Sequence, residues 1–207
     1  MAISRNVSIV NSLQVSATQN ACKRSDSSLF VLRTSLSTAY ILLYVDDMIL
    51  KVSTSNLLQH IIVKLKAEFT VKDMGPVSYF LGINVQRTSD GFFLSQAQYV
   101  EDLIERAAMQ NCKSVTTPAE TKQKTSTTAG NLLTDPTFYR SMAGALQYLT
   151  VTRPDIVYAV QQLCLHMHSP RDVHSALLKR VLRYLHLRGT PALGVHLHRM
   201  SSPTITA

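Results

Sequence analysis

Between residues 39 and 52 the chain reads AYILLYVDDMILKV, apolar almost throughout and interrupted at its centre by Asp46 and Asp47. TAYILLY and MILKV, on either side, are rich enough in β-branched and aromatic residues to predict two strands. The step Val45-Asp46-Asp47-Met48 is short enough for a tight hairpin turn, although it lacks an Asn-Gly or Asp-Gly pair. In the following STSNLLQHIIVKLKAEF, Leu58, Ile61, Ile62, Leu65 and Phe69 recur at helical spacing, with Ser53, Thr54 or Ser55 as the N-cap. PVSYFLGINVQR then reads as a strand, and SDG turns it into a short FFL strand. The order strand–strand–helix–strand–strand predicts an α+β layer with an antiparallel sheet.

From Ser95 the pattern turns helical. SQAQ offers Ser95 and Gln98 as a capping box, and Val100, Leu103, Ile104 and Ala107 form one apolar stripe. Residues 113–134 are polar with neither period and read as an exposed linker or loop. Asp135-Pro136 starts a second helix carrying Tyr139, Met142, Leu146 and Leu149 in register. Arg153-Pro154 breaks it, and a third helix aligns Ile156, Val160, Leu163 and Met167. SPRD at 169–172 caps a fourth, with Val173, Leu177, Val181, Tyr184 and Leu185 on one side and Lys179, Arg180, Arg183 and Arg188 on the other; Gly189 and Pro191 end it. The tail, PALGVHLHRMSSPTITA, reads as a strand and then a chain stopping in mid-element. No internal repeat is visible.

Composition narrows the function classes. At 45% hydrophobic residues the chain can build a core, and its net charge of +8 favours a polyanionic partner such as nucleic acid over simple solubility. Cys22, Cys112 and Cys164 are odd in number, far apart and form no CxxC pair, which fits a reducing compartment, here the cytoplasm, and argues against a disulfide framework or a zinc site. No apolar run reaches the ~20 residues of a membrane span. The Ser-rich, acid-free N-terminus lacks a secretory core; a transit peptide and a leftover of a larger domain both fit it. His166 and His168 diverge on a predicted helix, and His196 and His198 share a strand face without a third ligand near in sequence, so no zinc site is expected.

Two adjacent carboxylates inside an apolar run repel one another unless a cation neutralises them. A solvent-exposed Asp-Asp turn is the plain alternative. Hard oxygen ligands suit Mg²⁺, and two such ions ~4 Å apart can hold the attacking and leaving oxygens of a phosphoryl transfer.

YVDD between two apolar strands, followed in order by AEFTVKDMG, YFLGINV, GFFLSQAQYVEDLI, TTP, YRSMAGALQYLTVTRPDIVYAV and HSALLKRVLRYLHLRGT, closely resembles Ty1/copia-type retrotransposon reverse transcriptases over about residues 25 to 195. The resemblance implies a partial polymerase palm at 37–95, built on an antiparallel sheet with the YVDD hairpin and one packing helix. An all-α thumb-like bundle leading into the connection follows at 96–189. Residues 1–36 would be a truncated N-terminal segment and 190–207 a tail before an RNase H region.

The resemblance further implies that Asp46 and Asp47 hold catalytic Mg²⁺ and that Tyr44 and Val45 lie near the primer end. It implies that Lys72 contacts the incoming triphosphate or protonates pyrophosphate, where the residues alone permit an ordinary surface lysine. Phe80, Leu81 and Gly82 would grip the primer strand. Lys179, Arg180 and Arg183 would face the backbone of an RNA template–DNA primer duplex, or else form a solvated helix face. The family's third carboxylate lies upstream in a motif resembling DVKTAFL, which this sequence lacks; Asp26 is the sole acidic residue before Asp46. Fingers and RNase H acidic residues are missing too. The expectation is a catalytically incomplete polymerase fragment, against a basic nucleic-acid-binding remnant or a relic without function.

Overall fold

The structure, a computed structural model, describes residues 28–33, 36–45, 47–119, 130–186 and 193–199. Cys22, Asp26, Asp46, Arg188, Gly189 and Pro191 lie outside the described residues, as do most of 1–36, the middle of the polar loop and the end of the tail. Two compact units divide between Val77 and Ser78.

The first unit contains β1 (Leu29–Arg33), β2 (Thr38–Tyr44), β3 (Asp47–Val52) and helix α1 (Ser55–Glu68). Its sheet has the order β1-β2-β3, antiparallel throughout. Along β2 burial alternates, and Ala39, Ile41 and Leu43 point to one buried face. α1 packs Ile61 and Leu65 against Ala39, with Leu57 and Phe69 beside them. Its N-cap is Thr54, without a side-chain capping bond; the Ser53 hydroxyl instead accepts the Thr38 N–H at 3.0 Å and closes the open end of the β2–β3 hairpin.

The second unit contains β4 (Tyr79–Phe80), β5 (Ile83–Thr88), β6 (Gly91–Ser95) and β7 (Gly194–His198), in the antiparallel order β4-β5-β6-β7. The helices α2 (Ala97–Arg106), α3 (Thr137–Leu149), α4 (Val157–Leu165) and α5 (Asp172–Leu185) share one large apolar core. The expected stripes of α2, α3 and α4 face that core: Val100, Leu103 and Ile104; Tyr139, Met142, Leu146 and Leu149; Val160 and Leu163. The Tyr139 hydroxyl reaches the Leu163 carbonyl at 2.8 Å, and burial pushes the phenol well above its usual range.

Four expectations are corrected. The single α+β sheet is two sheets, one in each unit, and PVSYFLGINVQR is two strands folded at Leu81-Gly82 rather than one. Ser95 makes no capping box: it ends β6 between Asn84 and Gly194, and the next side chain, Gln96, is buried and accepts the Thr152 hydroxyl at 2.7 Å. The buried face of α5 is His174, Leu178, Val181, Leu182 and Leu185, so Val173 is exposed, while Leu177 and Tyr184 pack against the edge of the core. A buried histidine joins this face: His174 stacks on His166 at 3.7 Å, and its Nδ1 accepts the Arg171 N–H. The end of the 113–134 loop, exposed as expected at Gly130–Leu132, is also anchored: the Leu133 N–H donates to the Pro170 carbonyl, the Asp172 N–H to the Asn131 carbonyl, and the Arg171 guanidinium to the Gly130 carbonyl.

Arg153, just before the 3₁₀ turn Pro154–Ile156, is 1% exposed and forms a two-pronged ion pair with Asp155 at 2.8 and 2.7 Å. The Tyr184 hydroxyl of α5 donates to the same carboxylate at 2.8 Å, and the guanidinium lies over the Tyr184 ring. Arg153-Pro154 therefore does more than break a helix: it fastens the α3–α4 connection to α5.

Candidate functional site

The hairpin that carries the two aspartates is built from the strand pattern. Tyr44 pairs with Asp47, Leu43 with Met48 and Ile41 with Leu50, so the loop is two residues long, Val45 and Asp46. Val45 takes φ +49°, an uncommon conformation for a β-branched side chain and a local strain of the kind found at functional turns. Tyr44 and Val45 are about half exposed, at 52% and 51%, and Asp47 opens β3 with an exposed carboxylate. β2 is hydrogen-bonded on both sides, by β1 and β3, and its alternate side chains are buried, so the tip stands on a fixed base. Such a carboxylate offers hard oxygen ligands to a divalent cation.

Lys72 belongs to the same unit and is exposed. Its segment is held on both sides: Val71 packs against the small core, and the Asp73 carboxylate accepts the Gly75 N–H at 2.8 Å in a turn where Gly75 takes φ +73°.

In the second unit Phe80 pairs with Ile83 across a turn formed by Leu81 and Gly82, at φ +50° and +75°. Positive φ at both central positions is the requirement of a type I′ turn, in which Gly is favoured and Leu is strained. The Tyr148 hydroxyl of α3 donates to the Leu81 carbonyl, and Tyr148 stands edge-on to Tyr99 of α2 at 5.5 Å. This hairpin is therefore clamped to α3 through Tyr148, itself backed by Tyr99 of α2, while Tyr79 remains exposed. Leu81→Asn relieves the left-handed strain and is expected to raise stability by about 1 kcal/mol in urea unfolding; an unchanged or lower midpoint would contradict the turn geometry.

On α5, Lys179 is exposed, whereas Arg180 and Arg183 are half-buried. Arg180 Nη2 donates to Thr117 Oγ1 at 2.9 Å and Arg183 Nε to the Lys113 carbonyl at 2.6 Å. The two arginines hold the 113–117 segment against the helix, so their faces are only partly open to a ligand.

The histidines have a neighbour that sequence distance concealed: Asp90, in the β5–β6 turn, stands beside His196 and His198 of β7, close enough for the three side chains to hold a metal ion together. His166 caps α4 and His168 lies beyond it, so neither is inside a helix.

Residues 10–121, more than half of the chain, match the family described as reverse transcriptase (RNA-dependent DNA polymerase). The chain is a member of the reverse transcriptase family. The Pol polyprotein of transposon RE1 from Arabidopsis thaliana is 45% identical over 183 residues, covering 88% of this chain and 12% of the polyprotein. An uncharacterized mitochondrial protein of Arabidopsis thaliana is 45% identical over 168 residues, covering 81% of this chain and 69% of that protein. The Pol polyprotein of transposon TNT 1-94 from Nicotiana tabacum is 38% identical over 161 residues, covering 72% of this chain and 12% of the polyprotein. The polyprotein relatives are of the Ty1/copia type, and the chain spans about an eighth of their length. No solved structure matches.

In this reverse transcriptase chain, Tyr44, Val45, Asp46, Asp47, Lys72, Phe80, Leu81 and Gly82 fall inside the family match, and Lys179, Arg180 and Arg183 fall beyond it. The first unit brings together Tyr44, Val45 and Asp47 at one tip, with Lys72 on the same unit; the second holds the Leu81-Gly82 turn and the α5 cations. Sequence reasoning missed Asp90 and the Tyr148 clamp. For Tyr148 the signal was an aromatic residue outside its helix's apolar stripe. Among the described residues no helix is long and apolar enough to cross a membrane.

Proposed function

We propose that this chain carries the metal-holding hairpin and the primer-side elements of an RNA-directed DNA polymerase acting by two-metal nucleotidyl transfer. The observation that carries the reading is the Tyr44–Asp47 pairing, which sets an exposed carboxylate at the tip of a two-residue turn on a rigid apolar hairpin. In this reading Asp46 and Asp47 bind Mg²⁺ beside the primer end, in the C-terminal part of a palm. Bound Mg²⁺ supplies Lewis-acid activation of the attacking hydroxyl and charge neutralisation at the phosphate. Tyr44 and Val45 shape the floor beneath the terminal base pair. Lys72 donates to the triphosphate or its leaving group. The strained, clamped turn at Phe80, Leu81 and Gly82 positions the primer strand, and Lys179, with the open parts of Arg180 and Arg183, contacts duplex phosphates from a thumb-like bundle.

The same reading makes the isolated chain a holder of template–primer rather than a polymerase. Two aspartates alone position metal poorly, and positioning with electrostatics supplies most of phosphoryl-transfer catalysis. Asp26 is the sole acidic residue ahead of Asp46, and no DVKTAFL-like motif is present in these 207 residues.

The test combines binding with chemistry. Fluorescence anisotropy of an RNA–DNA primer–template should give salt-sensitive binding, and Lys179→Ala should lower the log–log salt slope by about 1. Primer extension on an RNA template with Mg²⁺, and then Mn²⁺, should give no product. Failure to bind the hybrid at low salt would overturn the reading. Incorporation that disappears in Asp46→Asn/Asp47→Asn would establish a complete centre and overturn the holder role.

A further inference from the structure

The β5–β6 turn and the edge strand β7 converge on three metal-ligating side chains that the polymerase reading does not use. β7 pairs with β6 so that His198 lies opposite Gly91 and His196 opposite Phe93. Residues two apart on a strand share a face, and the two imidazoles stack at 4.3 Å between centroids. Asp90 reaches the same face from the turn: its Oδ2 lies 2.7 Å from His198 Nδ1, while its carbonyl accepts the Arg199 N–H at 2.6 Å. The potential ligand atoms of Asp90, His196 and His198 all lie within 4.8 Å of one another. Bonds of about 2.0–2.1 Å around a tetrahedral zinc set ligand atoms about 3.3 Å apart. Small rotations of exposed side chains close that difference.

We infer that Asp90, His196 and His198 form a three-ligand site for a borderline transition-metal cation, Zn²⁺ above all, that ties β7 to the β5–β6 turn. Two imidazoles and one carboxylate suit zinc, nickel or copper; the all-oxygen set suited to Mg²⁺ is of a different kind. The site is therefore chemically separate from the aspartate pair, and the inference does not depend on the polymerase reading. The Asp90–His198 contact spans 108 positions of sequence, so the metal closes a long loop and holds an edge strand that is otherwise fastened on one side. Gly91 keeps the partner strand close enough for the ligands to meet.

The experiment titrates the whole chain, freed of metal by chelator, with Zn²⁺ in millimolar Mg²⁺ by calorimetry. One equivalent of Zn²⁺ should bind and raise the melting temperature. His198→Gln, His196→Gln and Asp90→Asn should each weaken binding on the order of tenfold to a hundredfold, and His168→Gln should not. In the unsubstituted chain, the ring-nitrogen NMR signals of His196 and His198 should shift together at one equivalent, a readout independent of any variant's folding. Absence of saturable binding, binding abolished by Mg²⁺, or equal affinity in the three ligand variants overturns the site.

Discussion

Asp155→Ala is expected to lower stability by about 3 kcal/mol in urea unfolding, more than its one-third exposure would suggest. The reason is what it leaves behind. Arg153 is 1% exposed, and the substitution strands its guanidinium in the core without the carboxylate that receives two of its hydrogen bonds. Tyr184 loses an acceptor at the same stroke. The reciprocal change is milder. Arg153→Met keeps most of the side-chain volume and leaves Asp155 at the edge of the core, where water can reach it. Combining Arg153→Met with Asp155→Ala should therefore recover part of the single Asp155→Ala loss, because neither charge is then left alone. A double variant as unstable as the sum of the singles would show that the pair does not act as a unit.

The same carboxylate makes stability depend on acid. Burial works to raise the Asp155 pKa, but the hydrogen bonds from Arg153 and Tyr184 and the guanidinium charge together outweigh it, and the net shift is downward. A carboxyl depressed in the folded state contributes stability that is fully present above its ordinary value near 3.9 and is lost as pH falls through the lower folded value. The difference in urea midpoint between the unsubstituted chain and Asp155→Asn should thus be constant above about pH 5 and shrink as the solution is acidified below about pH 4. A gap that widens in acid would reverse the assigned sign.

What could be read from the chain and what could not divide along the range of the forces involved. The strands at 38–44 and 47–52 and the stripes of α2, α3 and α4 follow from local periodicity, which reports the buried face of an element directly. The short connection between β2 and β3 could be placed from the sequence, though not its turn chemistry, because Val45 is not a residue that favours a left-handed turn. The division into two sheets was not legible, since β7 joins β6 from a distant part of the chain and no local pattern names a distant partner. Buried polar groups misled in the same way. His174 occupies a core position through stacking and an N-terminal capping bond, and Arg153 does so through Asp155; a hydropathy pattern treats both as surface residues. The candidate sites divide likewise. Asp46-Asp47 is a contiguous signal, whereas the Asp90–His196–His198 cluster exists only once the strands are paired.

Gly91→Ala should destabilise the second unit by about 3 kcal/mol, at the upper end for overpacking, and release β7. A Cβ built on Gly91 would lie 1.8 Å from the Leu197 carbonyl oxygen, and the obstacle is backbone, which cannot rotate aside. Gly194, in the facing strand, has the matching problem, since its Cβ would lie 2.1 Å from the Leu94 carbonyl oxygen. Both glycines thus permit one close approach between β6 and β7, seen from opposite strands. Once either substitution has parted the strands, the second has little left to disturb. Gly91→Ala/Gly194→Ala should therefore cost scarcely more than the worse single variant, giving a large coupling term in a double-mutant cycle. Amide hydrogen exchange locates the damage: the amides of β7 should lose protection in all three variants, while those in the middle of α3, packed by Met142 and Leu146 in the helical core, retain it. Additive losses, or a β7 that stays protected in Gly91→Ala, would mean that the two strands do not meet at these glycines.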